Sequence, residues 1–148
     1  VHVLGSDRAA IENAVTQTRR FASPLTVPVK MSVADGKVTV TVPSAADEHK
    51  SGEVWLCSIS NKVAVAVRRG ENSGRSLNYY NVVRNWVKLG DWSGKAQTFS
   101  TKVVDLAIAG GTLQDVDRLA VVVQSGGAAK PGLMLGAATI ACCANPSN

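Results

Sequence analysis

An Asp-Gly pair at the centre of a symmetric apolar pattern constrains the fold more than any other feature. Asp35-Gly36 lies within "LTVPVKMSVADGKVTVTVP", where apolar and polar residues alternate on both sides. Asp-Gly tolerates the positive φ angles of a two-residue type I′ turn. Such a turn pairs Ala34 with Lys37, and the pairs that follow share one apolar face: Val33 with Val38, Met31 with Val40, and Val29 with Val42. The pattern therefore predicts an antiparallel hairpin with one buried face.

Later apolar segments predict further strands. "EVWLCSIS" and "KVAVAVR" fit a second hairpin that turns at Ser60-Asn61, with Val54, Leu56 and Ser58 opposite Val67, Val65 and Val63. Both of its faces are largely apolar, which is typical of a central hairpin covered on two sides. Residues 78–89 fit a helical stripe as well as a strand, and their β-branched and aromatic content favours a long, bulged strand. Three more strands are predicted at "KAQTFSTKVV", "DRLAVVVQS" and "LMLGAATIACC".

The N-terminal stretch predicts one strand and one helix. Val1 to Leu4 form a short apolar strand, Gly5 ends it, and Ser6 is a favourable N-cap. "DRAAIENAVTQTRR" then repeats apolar residues at helical spacing as a narrow buried stripe, and Ser23-Pro24 ends the helix. The apolar period changes there, which predicts a boundary between a strand–helix unit (residues 1–23) and an all-β domain (residues 24–148). The predicted class is a mainly β protein, an antiparallel β-sandwich or partly open barrel of about seven strands preceded by that unit.

Composition argues against several classes of function. The net charge of +5 attracts acidic partners weakly, but the basic residues are scattered and aromatic residues make up only 5%, so we expect no nucleic-acid binding. No apolar run approaches the roughly 20 residues of a membrane-spanning helix, so no membrane span is expected. The segment "GGAAKPG" lacks the spacing of a phosphate loop and fits a hairpin loop, so no cofactor is assigned.

Residue types that carry catalysis or bind metals are sparse. His2 and His49 are the only histidines, and His49 lies in a polar loop with nothing to desolvate it. We therefore assign no catalytic residue and no metal site. The three cysteines, Cys57, Cys142 and Cys143, lack Cys-x-x-Cys spacing, and buried, inert thiols are the default expectation. A disulfide between Cys57 and either late cysteine stays open.

The densest polar stretch is "VRRGENSGRSLNYYNVVRNW", residues 67–86. In one interpretation it is an anion site, in which arginine side chains and the amides of Gly70 and Gly74 form a nest. In the other it is a structural loop, in which Glu71 pairs with a neighbouring arginine and the glycines supply unusual torsions. We favour the structural loop because Glu71 would oppose an anion. The candidate residues are Arg68, Arg69, Gly70, Glu71, Asn72, Gly74, Arg75, Asn81 and Arg84.

The same stretch carries a family resemblance. "RRGENSGRSLNYYNVVRNWVKLGDWSG" is similar to the signature segment of an uncharacterised bacterial family, the domain of unknown function 1223. "EVWLCSISNKVAVAVRRGEN", "LAVVVQSGGAAKPGLMLGAA" and the opening "VHVLGSDRAAIENAV" resemble the same pattern. The resemblance implies a secreted or periplasmic protein whose thioredoxin-like N-terminal half usually carries Cys-x-x-Cys and is followed by an all-β extension.

By that resemblance, this chain is the C-terminal portion, and residues 1–23 are the last elements of the thioredoxin-like half. Adjacent Cys142-Cys143 cannot replace Cys-x-x-Cys, because the helix N-terminus that lowers the first thiol's pKa is missing. The favoured expectation is a non-catalytic β-rich module that packs on, or scaffolds, that missing half in the same or a separate chain. The alternatives are a module that binds an anion or an unknown small molecule at the Arg68–Arg75 loop, and part of a thiol-disulfide oxidoreductase whose Cys-x-x-Cys lies upstream. Whether the whole protein is an enzyme stays open.

Overall fold

Two antiparallel sheets form the protein. The computed structural model describes residues 3–20, 25–45, 51–106 and 115–142. Its elements are helix α1 (Arg8–Arg20) and strands β1 (Lys30–Ala34), β2 (Lys37–Val42), β3 (Gly52–Ala66), β4 (Ser76–Trp92), β5 (Gln97–Lys102), β6 (Arg118–Gly127) and β7 (Lys130–Ala141), with a 3₁₀ helix at Val103–Leu106. The strand orders are β1-β2-β5 and β4-β3-β6-β7. The predicted mainly β class is confirmed, and within the described residues the sheets do not close into a barrel.

The first hairpin has the predicted turn and register. Asp35 and Gly36 have φ angles of 49° and 69°, as a type I′ turn requires. β1 and β2 pair from Lys30 with Thr41 to Ala34 with Lys37, so every partner sum is 71. The valines of β2 that alternate onto one face are completely buried, which confirms the predicted apolar face: Val38, Val40 and Val42.

The second predicted hairpin is wrong, because its two halves form one strand. β3 runs unbroken from Gly52 to Ala66, and the chain reverses only at residues 67–75. A tight reversal needs positive φ angles, which Gly70 (89°) and Gly74 (82°) supply, whereas residues 60 and 61 have none. The predicted partners of Val54 and Leu56 within 63–67 are therefore replaced by residues of β4 and β6.

The later strands agree with the sequence pattern. Residues 78–89 belong to β4, and its register with β3 shifts at two points, so the strand is bulged as predicted. The strands predicted in the last third are β5, β6 and β7. Gly127 pairs with Lys130, so "GGAAKPG" is the turn of the β6–β7 hairpin.

One apolar core lies between the sheets. The β2 valines belong to the same buried cluster as Leu56 of β3 and Val121 of β6. The segment before β1 joins this core across β7, because Val27 N donates to Leu135 O at 2.8 Å. The segment fits closely because Gly136 has no side chain: a Cβ there would clash with the Val27 carbonyl oxygen and lie 2.7 Å from Val29 Cγ2.

The N-terminal segment differs from its prediction. Val3 and Leu4 are not in a strand, and Val1 and His2 lie outside the described residues. Asp7 rather than Ser6 caps α1, because its Oδ1 accepts a hydrogen bond from Ala10 N at 2.9 Å. The apolar stripe of α1 is less buried than predicted, since Val15 is 45% exposed. The predicted boundary at residues 23–24 falls outside the described residues, as do His49 and Cys143. No described helix is both long and apolar enough to cross a membrane.

Candidate functional site: the β-arm

The predicted site residues lie on or beside a protruding two-stranded hairpin. β6 pairs with residues 53–59 of β3 and no further, so the rest of β3 pairs only with β4 in the described structure. We call residues 61–81 the β-arm and residues 67–75 its tip loop. The first half of the signature segment therefore folds as an extension of the four-stranded sheet beyond its core, and the second half continues along β4 into the sheet.

Hydrogen bonds within the tip loop determine its shape. Val67 N donates to Arg75 O, and Gly74 N donates to Val67 O, both at 2.9 Å. The Ser73 hydroxyl donates to Arg68 O at 3.1 Å. Since the Gly74 amide is used inside the loop, it is not available to the predicted anion nest.

The charged side chains of the tip loop point to solvent. Arg68, Arg69 and Arg75 are exposed, and so is Glu71. Among the described residues Glu71 forms no ion pair, so the predicted Glu71–arginine pair is not present. Three arginines and one glutamate give the loop a net charge of 3 − 1 = +2. The tip loop is thus an exposed basic end, suited to an acidic surface or anion.

Two predicted residues lie at the base of the β-arm. Arg84 follows Arg75 by nine positions of extended chain, which separates them by roughly 30 Å at 3.3 Å per residue. The tip and the base are therefore not one site. Asn81 has a φ angle of 54°, and its Oδ1 accepts a hydrogen bond from Arg118 Nη2. Half-buried Arg84 lines a cleft of about 360 Å³ together with Ser60, Lys62, Val63, Ala64, Asp115 and Asp117.

The residues that anchor this base were not predicted. Asp117 Oδ2 accepts a hydrogen bond from Asn61 N at 2.6 Å, which takes that amide out of the pairing between strands. The buried Ser60 hydroxyl donates to the Asp115 carbonyl oxygen. The charged "DVDR" at the start of β6 was a visible signal, but its partners lie 37 to 56 residues away in sequence, which no local pattern shows.

One face of the β-arm is apolar and exposed. Val63 pairs with Tyr79 and Val65 pairs with Leu77, so these four side chains share a face. Val65 is 41% exposed and Tyr79 is 50% exposed. A lone two-stranded ribbon is marginally stable in water, and sheets with one apolar face normally have that face covered. This arm face, defined by these four residues, therefore has the character of a contact surface.

The cysteines differ in state. Cys57 is a free thiol, 2% exposed, and burial raises its pKa to about 12, in agreement with its predicted core position. Cys142 is disulfide-bonded, which corrects the default expectation of an inert thiol and excludes a bond between Cys57 and Cys142. In the ranges that the structure describes, no three His, Cys, Asp or Glu side chains are grouped as a metal site would need.

Comparisons with known proteins show the fold and the family. The crystal structure of protein AGR_C_4864 from Agrobacterium tumefaciens, a structural genomics target, matches with a TM-score of 0.69 and 20% sequence identity. The match covers 100% of this chain and 60% of that one, so this chain spans 60% of the length of the solved protein. No curated protein matches the chain. The family model described as "Protein of unknown function (DUF1223)" matches residues 1–124, and the chain therefore belongs to the DUF1223 family.

Proposed function

We propose that this chain is a non-catalytic, β-rich module that packs on an upstream thioredoxin-like half through the arm face. The observation that carries the proposal is the exposed apolar face of Val63, Val65, Leu77 and Tyr79 on a ribbon that no third strand of the described structure supports. Full burial of an aliphatic or aromatic side chain contributes about 1.5–3 kcal/mol, so covering these partly exposed side chains favours docking by several kcal/mol in total.

Two further observations support this partner. The solved protein has a remaining 100 − 60 = 40% of its length without a counterpart here, which is room for another folded unit. The tip loop adds a basic end beside the arm face, so an acidic patch on the partner would orient docking. A secreted or periplasmic location belongs to the same proposal, and the disulfide of Cys142 supports it because disulfides persist in oxidising compartments.

Hydrogen exchange tests the docking. We expect amides of 62–66 and 76–80 to exchange more slowly in a longer protein that includes the upstream half than in this 148-residue chain. In the longer protein, Tyr79→Ser should restore the faster exchange, because Tyr79 lies on the arm face. Tyr80→Ser is the matched control, since Tyr80 pairs with Lys62 on the opposite face. Equal exchange in the two proteins would contradict the proposal.

Anion binding at the tip loop is a second candidate function. The exposure of Arg68, Arg69 and Arg75 favours it, and the engaged Gly74 amide weakens it. Titration with inorganic phosphate tests it: Arg75→Ala should abolish binding and leave the melting temperature unchanged. A large loss of stability without any phosphate binding would instead support the structural loop.

The remaining alternative is that this module scaffolds a thiol-disulfide oxidoreductase. Its chemistry would lie in the upstream half, since Cys57 is buried with a raised pKa and Cys142 is held in a disulfide, so neither supplies the reactive thiolate. Thiol–disulfide exchange should therefore be measurable in the longer protein and absent from the 148-residue chain. Exchange activity in this chain alone would overturn the assignment.

A further inference from the structure

A cleft on the outer face of the four-stranded sheet lies between two indole rings and the β6–β7 turn. Its volume is about 340 Å³, which is in the range of small-molecule sites. Trp55 and Trp86 line it from the sheet. The turn supplies the opposite wall through Ser125, Gly126, Gly127, Ala128 and Pro131, and Glu53 and Gln124 complete the lining. We call this the Trp cleft.

The two indoles pack against each other in a tilted arrangement and together form the aromatic side of the cleft, which we call its floor. Their ring centroids lie 5.8 Å apart, and their planes are inclined by 37°. Trp86 is 47% exposed although it is among the largest apolar side chains of the protein. Trp55 is held in place, because its Nε1 donates to Glu53 Oε2 at 3.1 Å. A floor that is already ordered loses little side-chain entropy when a ligand stacks on it.

Paired polar groups lie beside this floor, at Glu53 and Gln124 of the lining. Lys88 Nζ lies 2.6 Å from Glu53 Oε1 and 2.8 Å from Asp91 Oδ1. Gln124 Nε2 donates to Gly132 O at 3.1 Å, which ties the turn to the sheet. The Glu53 carboxylate is thus paired with an ammonium group that it shares with Asp91, which gives the three side chains a net charge of 1 − 2 = −1. Because Glu53 is already paired, it is not a free counter-charge for a simple ion.

We propose that the Trp cleft binds an oligosaccharide built from equatorially substituted pyranoses. Such a ring has a flat face of axial C–H groups and a rim of hydroxyls. Its C–H face matches the indole floor, where aromatic side chains contribute large contact areas. Its hydroxyls match the carboxylate, ammonium and amide groups beside the floor, because a hydroxyl both donates and accepts hydrogen bonds. The site is independent of the arm face, so this proposal does not rest on docking of an upstream half.

Gly127 keeps the turn side of the Trp cleft open. A Cβ built there meets a single atom within 4 Å, Glu53 Oε1 at 3.8 Å, and Gly127 does not have a left-handed φ angle. A side chain is therefore tolerated by the backbone and would project toward the cleft. The neighbouring Gly126 differs, because its φ angle is 77° and a Cβ there would clash with the Lys130 carbonyl oxygen. Gly127→Leu is accordingly a cleft-blocking variant that leaves both indoles in place.

Titration of the 148-residue chain with cellotetraose and chitotetraose tests the proposal, by calorimetry and by tryptophan fluorescence. We expect at least one of these β-linked tetrasaccharides to bind, and we expect Trp86→Ala and Gly127→Leu each to weaken that binding at least tenfold. Tyr80→Ser, on the face of the β-arm opposite to the arm face, should leave the affinity unchanged. Near-ultraviolet circular dichroism from the buried Trp92 reports whether each variant is folded.

Three results would overturn the proposal. The first is that neither tetrasaccharide binds at millimolar concentration. Binding that survives both Trp86→Ala and Gly127→Leu in folded protein is the second, because the sugar would then lie elsewhere. The third is binding of a planar purine such as adenosine at the same cleft in place of both sugars, because the indoles would then serve a flat aromatic ligand.

Discussion

Arg118 fixes the base of the β-arm by donating a hydrogen bond from Nη2 to Oδ1 of Asn81. Arg118 begins β6 and Asn81 lies in β4, so the bond spans the intervening strand β3. Asn81 has a left-handed backbone, a conformation that asparagine tolerates better than most residues because its short polar side chain bonds locally. A strained position and a long-range bond therefore coincide where the arm leaves the sheet.

Substitutions of Asn81 should separate these two roles. Asn81→Gly keeps the left-handed torsion and loses the bond, which we expect to cost about 1 kcal/mol. Asn81→Ala also loses the bond but keeps a Cβ in the left-handed region without the local polar interactions of asparagine, so it should be about 1–2 kcal/mol less stable than Asn81→Gly. Urea unfolding monitored by Trp fluorescence measures both values. If the alanine variant is as stable as the glycine variant, torsional strain at this position is not important.

Gly136 is a position at which an added methyl group should be poorly tolerated. Its Cβ would clash with the Val27 carbonyl oxygen, which belongs to the segment that crosses β7. We expect Gly136→Ala to lower the free energy of unfolding by about 1–3 kcal/mol, as overpacking typically does. Gly127→Ala is the matched control, because it lies in the adjoining strand and has room for a methyl group. Equal melting temperatures for the two variants would contradict the close approach of this segment.

Burial of Cys57 should make stability depend on pH above 9. Burial raises its pKa from 9.0 to about 12, so the folded state retains a proton that the unfolded state has lost. Stability therefore falls as pH rises above 9, by at most about 1.4 kcal/mol per pH unit. Unfolding measured between pH 8 and pH 10 should show this slope, and Cys57→Ala should remove it.

The range from pH 8 to pH 10 also lies below the titration of Lys88. Hydrogen bonds raise the pKa of Lys88 above 10.5, and the bond to Asp91 contributes more than the bond to Glu53. Its stabilising contribution is therefore complete below 10.5 and is lost only as pH rises through its higher folded value. A slope that persists in Cys57→Ala below pH 10 would show that another group is responsible.

A side chain added at a tip-loop glycine should be poorly tolerated, but the loss of stability should be confined to the β-arm. Gly74 has a φ angle of 82°, so Gly74→Ala should destabilise the loop by about 1–2 kcal/mol. Because the arm extends beyond the core, we expect faster amide exchange at 76–80 with little change at Val121. Gly36→Ala is the comparison, since Gly36 turns a hairpin whose valines are completely buried. It should lower the melting temperature of the whole protein.

Local patterns predicted the fold where turn chemistry and burial agree. Asp35-Gly36 allowed the register to be assigned because its turn type and the alternation of valines require the same pairing. The turn predicted at Ser60-Asn61 was wrong because neither residue has a positive φ angle, and because β3 is much longer than the usual strand of about five or six residues. Only the glycines at 70 and 74 indicate the true reversal.

The candidate site likewise has a part that local sequence patterns predicted and a part that they did not. Its tip was visible in composition, since Arg68 and Arg75 cluster around turn-forming residues. Its base was not, because Asn81 depends on Arg118 and Asn61 depends on Asp117, and such distant pairs are created only by folding. The Trp cleft was missed for this reason too: Trp55 and Trp86 lie on different strands, and their contact depends on the register of β3 with β4.

β3 belongs both to the packed sheet and to the β-arm, and this continuity limits how the family can change in length. Side chains alternate along one strand, so removing a single residue between Ile59 and Val63 would turn the arm over relative to the core. Val63 and Val65 would then exchange faces with Ala64 and Ala66. Insertions and deletions in this part of β3 should consequently involve two residues at a time. A relative whose strand differs by one residue should have a compensating bulge nearby.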